Sequence, residues 1–240
     1  MEKFQNNSYL NKQLFYLVNL PRLISVIFII EIFIAIIFYA GGTFLDNSTH
    51  GYIFDKNFLS DLGRWKSWNE NQNFISFLFF NVAFIQTGFT YMIFYIKMIS
   101  IFKKDKHLYV LSIFASLFGF LGGLFIIGVG FTPADIYRNI HFIFAIWFIR
   151  FFLISSIIYI FIFLISKKFK SIYSIVYVIY SLIILIHILI GEFGPKISDG
   201  GETALKIHVI SQKIIAFSSI LLILFQTFIN KKLILTKFYK

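Results

Sequence analysis

The chain has 240 residues, 58% of them hydrophobic and only 14% charged, with a formal net charge of +11 and no cysteine. A soluble domain of this size needs more polar surface than that. The missing cysteine excludes disulfides, thiolate metal sites and a cysteine nucleophile, and no glycines fall in phosphate-loop order.

The elements follow in chain order. Phe4–Leu20 mixes apolar and polar residues and reads as a segment lying on the inner membrane surface. Six apolar runs come next, at roughly Leu23–Ala40, Phe74–Ile99, Leu108–Gly130, Ile140–Ile165, Ile172–Ile190 and Ile207–Ile229. Each is close to or above the ~18–20 residues that cross the hydrocarbon core as a helix. Backbone groups in lipid must bond within their own segment, so helices are expected. The expected fold is an all-α integral membrane protein, a six-transmembrane-helix bundle forming a single polytopic domain over residues 1–240. The first run follows Lys3, Lys12 and Arg22, is longer than a signal-peptide core and meets a poor cleavage site at Ala40-Gly41-Gly42, so it is expected to be retained. The longest non-apolar stretch, Gly41–Asn73, is too short for an independent core.

The basic residues set a direction. Lys3, Lys12, Arg22, Lys103, Lys104, Lys106, Lys167, Lys168, Lys170, Lys231, Lys232, Lys237 and Lys240 fall on one side, and the other side carries fewer. The positive-inside rule then places both termini in the cytoplasm. This distribution explains the net charge without nucleic acid. The 34 phenylalanines, with many Ile, Lys and Asn, read partly as A+T-rich coding pressure. Most of the 11 acids lie on the opposite, outer side: Asp46, Asp55, Asp61, Glu70, Asp135, Glu192, Asp199 and Glu202. In the third span Gly119 and Gly123 form a small-xxx-small pair that lets helix backbones approach.

Ionisable groups inside a span are expensive and therefore informative. Glu31 and Arg150 each lie about ~14 Å below the outer ends of their spans at 1.5 Å per residue, so an intramembrane ion pair between them is expected. Lys97 is expected to snorkel toward the inner surface. A shallower polar layer contains Asn81, His141, His187, His208, Gln212 and Lys213, the last two in one span with His208. With Ser60, Asp61 and Glu70 from the first long loop, these residues form a candidate outward-facing pocket.

The most specific string is NFLSDLGRWKSWNENQNFISFLFFN, Asn57 to Asn81. Ser60-Asp61-Leu62-Gly63 reads as a turn, with Asp61 bonding backbone N–H groups and Gly63 free to take positive φ. Gly130-Phe131-Thr132-Pro133 precedes His141, and Gln212-Lys213 follows His208. This arrangement resembles the domain-of-unknown-function membrane family numbered 998. It is also similar to the wider group of DRAM autophagy modulators and GPI-lipid remodelling (Frag/DRAM/Sfk) proteins. The matching positions are Ser60, Asp61, Gly63, Asn69 or Glu70, Phe80, Asn81, Gly130, Phe131, Pro133, His141 and Gln212-Lys213. Thr132 is inserted before the proline, and Gln212 stands where an acid would serve. The resemblance implies a first outer loop that packs onto the helices, and it implies no settled activity.

The leading expectation is lipid handling, with a headgroup in the outer pocket, Lys213 contacting phosphate, and Asp61 and His141 orienting donors or moving protons. The alternatives are a small-solute or proton transporter using Glu31, Gln86, Arg150 and Lys213, and a non-catalytic membrane partner. A metal-dependent intramembrane hydrolase built on Asp61, His141, His187 and His208 resembles ceramidase-like enzymes but lacks a local metal-binding spacing. Catalysis and oligomeric state stay open. No cofactor and no nucleic acid are expected, a membrane lipid is the expected partner, and in a prokaryote the location would be the cell membrane.

Overall fold

Lipid offers no partner to a backbone N–H or C=O, and each apolar run accordingly forms a helix. The computed structural model describes residues 2–166 and 171–238; Lys167, Lys168, Lys170 and Lys240 of the basic set lie outside them. The helices are α1 (Glu2–Leu14), α2 (Leu20–Ile37), α3 (Phe74–Met98), α4 (Lys106–Phe131), α5 (Arg138–Ile165), α6 (Ser171–Phe193) and α7 (Ile197–Phe238). The described residues contain six helical stretches long and apolar enough to cross a membrane. The chain is an all-helical bundle of the multi-pass membrane type. α1 packs on α7 at one end, here called the terminal end, and the long Phe38–Asn73 connection caps the other, here called the loop end.

The helices extend past the hydropathy limits, because a helical ladder satisfies itself in water as well as in lipid. α7 continues through Lys231 and Lys232, and it breaks only at Gly201 (φ 54°). The N-terminal segment is not a separate surface helix. A π-helical stretch, Phe15–Asn19, joins α1 to α2 in one continuous rod. Pro21 accounts for it: a proline lacks the N–H that would bond the carbonyl of Leu17, and its ring crowds that carbonyl. The freed Leu17 oxygen accepts a bond from Asn230 Nδ2 of α7 at 3.3 Å. Leu17 and Val18 are in turn fully buried.

Each helix packs on the next, α2 on α3, then α4, α5, α6 and α7, and α7 returns to α2. The interior of this ring is aromatic, with Tyr91, Tyr95, Phe152, Tyr159, Phe163, Tyr177 and Tyr180 all buried. Outward positions such as Val26, Ile29, Phe33 and Ile37 are large, apolar and exposed, as a lipid-facing surface requires. α3 and α4 approach most closely where glycines meet. A methyl on Gly88 would sit 2.5 Å from the Gly123 carbonyl oxygen, and one on Gly119 would sit 2.4 Å from the Tyr95 ring. The expected role of Gly119 and Gly123 in close approach holds.

A polar chain crosses the buried interior near the terminal end. Tyr177 Oη donates to Gln226 Oε1 at 2.9 Å, Gln226 Nε2 donates to Asn230 Oδ1 at 2.9 Å, and Asn230 donates on to Leu17 O. The Leu17 carbonyl is thereby paired within the protein.

Candidate functional site

The connection at the loop end owes its shape to Asp61. Leu59–Gly63 forms one 3-10 turn, and Asp61 accepts from Phe58 N at 2.8 Å, Trp68 Nε1 at 2.8 Å and Asn57 Nδ2 at 3.2 Å. Burial pushes the Asp61 carboxyl up, opposed by the Trp68 and Asn57 bonds, the Arg64 charge and the Phe58 N–H. Gly63 is needed for space rather than for positive φ, since a methyl there would lie 2.3 Å from the Phe80 ring. Asn57 links Gly42 O to Asp61 and receives Ile53 N at 2.9 Å. Asn73 donates to Leu62 O and Arg64 O and receives Ala40 N.

The same loop is docked on the bundle. Leu59 and Leu62 are buried against Ala35, Phe80 and Val129. Gln212 Oε1 accepts from Leu59 N at 2.7 Å. Lys213 donates to Asn57 O and lies 5.3 Å and 5.0 Å from the Tyr52 and Phe54 ring centroids. From the next loop, Asp135 takes the Trp65 and Lys66 N–H groups, each at 2.9 Å. Lys206 bridges Asp55 and Glu202 at 3.1 Å and 2.9 Å, and Lys56 reaches Glu202 at 3.1 Å. The outer acids thus serve largely to fasten loops.

The predicted pocket therefore divides. Gln212 and Lys213 both bond loop backbone, at Leu59 N and Asn57 O. Ser60 is half-buried beside Asp61. Glu70 is exposed, at a positive φ of 63°, and faces Lys66 at 3.9 Å, outside the cluster. His187 Nδ1 meets Ser211 Oγ at 2.9 Å, and His208 Nε2 meets Pro195 O at 3.0 Å, both on the α6–α7 side. His141 Nδ1 meets Thr132 O at 2.6 Å at the start of α5. Asp61, His141, His187 and His208 do not converge, and no group of three or more His, Asp or Glu suited to a metal occurs among the described residues.

The expected Glu31–Arg150 pair does not form. Glu31 is bonded to Gln86 of α3, and Arg150 reaches Glu192 of α6. In the ring, α2 neighbours α3 and α7 while α5 neighbours α4 and α6, so equal depth brings the two residues no closer. The long arginine side chain also carries its charge about one turn outward toward the loop end, where it donates to Ile146 O.

What remains is a small cluster around the Gly63–Arg64 backbone. Asn81 is buried at 6% exposure, and neither its Oδ1 nor its Nδ2 has a partner. It lies against Gly63, whose added methyl would be 3.2 Å from Asn81 Oδ1. Its backbone carbonyl borders Gly130, at the end of α4 just before the Thr132 carbonyl that holds His141. Arg64 is buried, stacks 3.8 Å over Trp68 and donates Nε to Lys66 O at 3.1 Å. Among the described residues it belongs to no ion pair. Its charge acts on both Asp61 and His141. Arg64, Asn57 and Asn73 carried no periodic or motif signal of their own in the sequence. Only the neighbouring buried turn reveals them. No family model matches the chain, and no curated protein or solved structure matches it.

Proposed function

We propose that the protein binds the phosphorylated headgroup of a membrane lipid at its loop end, through Arg64, Asn81 and His141. The carrying observation is the Asn81 side chain, buried with donor and acceptor both unpaired against Gly63, next in sequence to Arg64, which belongs to no ion pair among the described residues. Native structures leave few buried polar groups without partners, and each one calls for a water, ion or ligand. Arginine offers fixed parallel donors suited to phosphate. An amide supplies one donor and one acceptor for ester or hydroxyl oxygens, and His141 supplies its second ring nitrogen. Asp61, Gln212, Lys213 and Asp135 hold the loop that carries Arg64. Membership of the family numbered 998, and a location in the cell membrane, belong to the same proposal.

The test is mass spectrometry of lipids retained by gently solubilised protein, comparing wild type with Asn81→Leu and Arg64→Gln. A defined phospholipid on wild type that is absent from both variants is expected. Asn81→Leu removes an unpaired amide and should leave thermal stability equal or higher, which separates lost binding from lost folding. The same lipids on all three proteins would overturn the reading. A second reading, a proton or solute path, draws on the Glu31–Gln86 bond inside the membrane-spanning region. It requires flux in proteoliposomes that Glu31→Gln abolishes.

A further inference from the structure

The buried unpaired side-chain atoms among the described residues belong to Asn81, Thr87 and Arg22. Thr87 is a single hydroxyl packed within α3. Arg22 is different, because it is a permanent charge placed far from the loop end. It lies about 15 residues before the end of α2, or about 22 Å along the helix, in the inner part of an apolar layer about 30 Å thick. Its Nε donates to Thr227 Oγ1 of α7 at 2.8 Å, and its guanidinium lies 4.3 Å over the Phe228 ring. These contacts fix the plane of the fork and leave Nη2 buried with nothing to bond. Among the described residues no ion pair includes Arg22.

The surroundings are basic and open toward the terminal end. Lys231 is one turn beyond Thr227 on the same face of α7, Lys232 follows it, and both are exposed. On the other rod, Asn19 is one turn from Arg22. A recess of about 720 Å³ lined by Asn19, Phe15, Lys12, Asn11 and Ser8 continues from there along the π stretch and α1. A charge with a vacant donor in the apolar layer therefore lies one turn from a mixed polar and apolar recess that carries Lys12.

We propose that the seam between the α1–α2 rod and α7 is a binding site for the phosphodiester of an anionic glycerophospholipid from the leaflet at the terminal end. Arg22 Nη2 would donate to a phosphate oxygen and Lys231 would act as a second cation. The recess beside Asn19 and Phe15 would hold the glycerol or headgroup substituent. Basic pockets between spans on the cytoplasmic side take such headgroups, and the charge bias of the chain points the same way. This site is separate from the Arg64–Asn81 cluster and does not depend on it.

The experiment uses the full chain in nanodiscs of phosphatidylcholine with and without phosphatidylglycerol, reading retained lipid by native mass spectrometry and stability by thermal unfolding. Wild type should retain phosphatidylglycerol in preference to phosphatidylcholine. Arg22→Gln should weaken that retention about 10- to 100-fold, the loss of a charge-assisted bond to phosphate. Lys196→Gln, which removes an exposed lysine at the loop end outside both clusters, should leave it unchanged. If Arg22→Gln fails to fold, the exposed double variant Lys231→Gln, Lys232→Gln carries the test and should weaken retention several-fold. Wild-type retention in the variants, or no preference in wild type, would overturn the site. Stabilisation by inorganic phosphate in pure phosphatidylcholine discs, lost in Arg22→Gln, would overturn the lipid source and identify a soluble phosphate compound instead.

Discussion

Asn230→Leu is the sharpest perturbation of the fold, because it removes one side chain that closes a specific vacancy. Asn230 is fully buried, donates to Leu17 O at 3.3 Å and accepts from Gln226 Nε2 at 2.9 Å. Leucine keeps the volume and deletes both bonds, with the contact of Asn230 Nδ2 to Met98 Sδ at 3.3 Å. Each buried group left unpaired costs about 1–3 kcal/mol, so unpairing Leu17 O and Gln226 Nε2 should cost about 2–6 kcal/mol. The cause of the Leu17 vacancy is testable in the same series. Pro21→Ala returns an N–H four residues after Leu17 and lets the carbonyl close an ordinary helical bond. In that background Asn230→Leu should cost about 1–3 kcal/mol less, because only Gln226 loses a partner. The assay is reversible unfolding in mixed micelles titrated with a denaturing detergent, followed by far-ultraviolet circular dichroism. Equal costs in the two backgrounds would refute the account of the π stretch.

Further outcomes follow from other contacts. Asp61→Ala leaves Phe58 N and Trp68 Nε1 unpaired and should release the loop, costing about 2–6 kcal/mol if they stay dry; tryptic cleavage after Arg64 should be faster than in wild type. A double-mutant cycle between Glu31 and Arg150 should give a coupling below about 0.5 kcal/mol, whereas the half-exposed Arg150–Glu192 pair should give about 0.2–1 kcal/mol; a large Glu31–Arg150 value would contradict the ring order. Gly88→Val forces a branched side chain against the Gly123 backbone and should destabilise by at least about 1–3 kcal/mol, measured as a fall in thermal midpoint. Asp135→Ala unpairs two exposed N–H groups and should raise amide exchange at Trp65 and Lys66 with a stability loss of about 1 kcal/mol or less.

The sequence announces the spans clearly, since the solvent for each segment is written in its hydropathy. It also marks the Leu59–Gly63 turn, whose Asp and Gly have the expected neighbours even though Gly63 serves packing rather than positive φ. Depth along a helix was legible for Glu31 and Arg150, but azimuth and helix order were not, and partner choice depends on all three. The histidines scattered for the same reason: being near the loop end does not place them on facing sides. Lys213 looked available because a lone lysine in a span has no visible partner, and its acceptor is a backbone carbonyl 156 positions away. Backbone acceptors are invisible to residue-type reasoning. The Tyr177–Gln226–Asn230 chain was hidden likewise, because neutral amides in an apolar run hardly disturb its mean hydropathy.

The order of packing has a consequence for how the protein is made. From the second span to the fifth, each packs on the one synthesised immediately before it, so a growing chain can assemble as an arc, one helix at a time, with little searching. Only the final span also meets the first, through the Arg22–Thr227 and Leu17–Asn230 clasps. A nascent chain halted before residue 197 would be a nearly finished bracelet with its catch undone. It would leave the Leu17 carbonyl and the Arg22 side chain without their α7 partners until the seventh helix arrives.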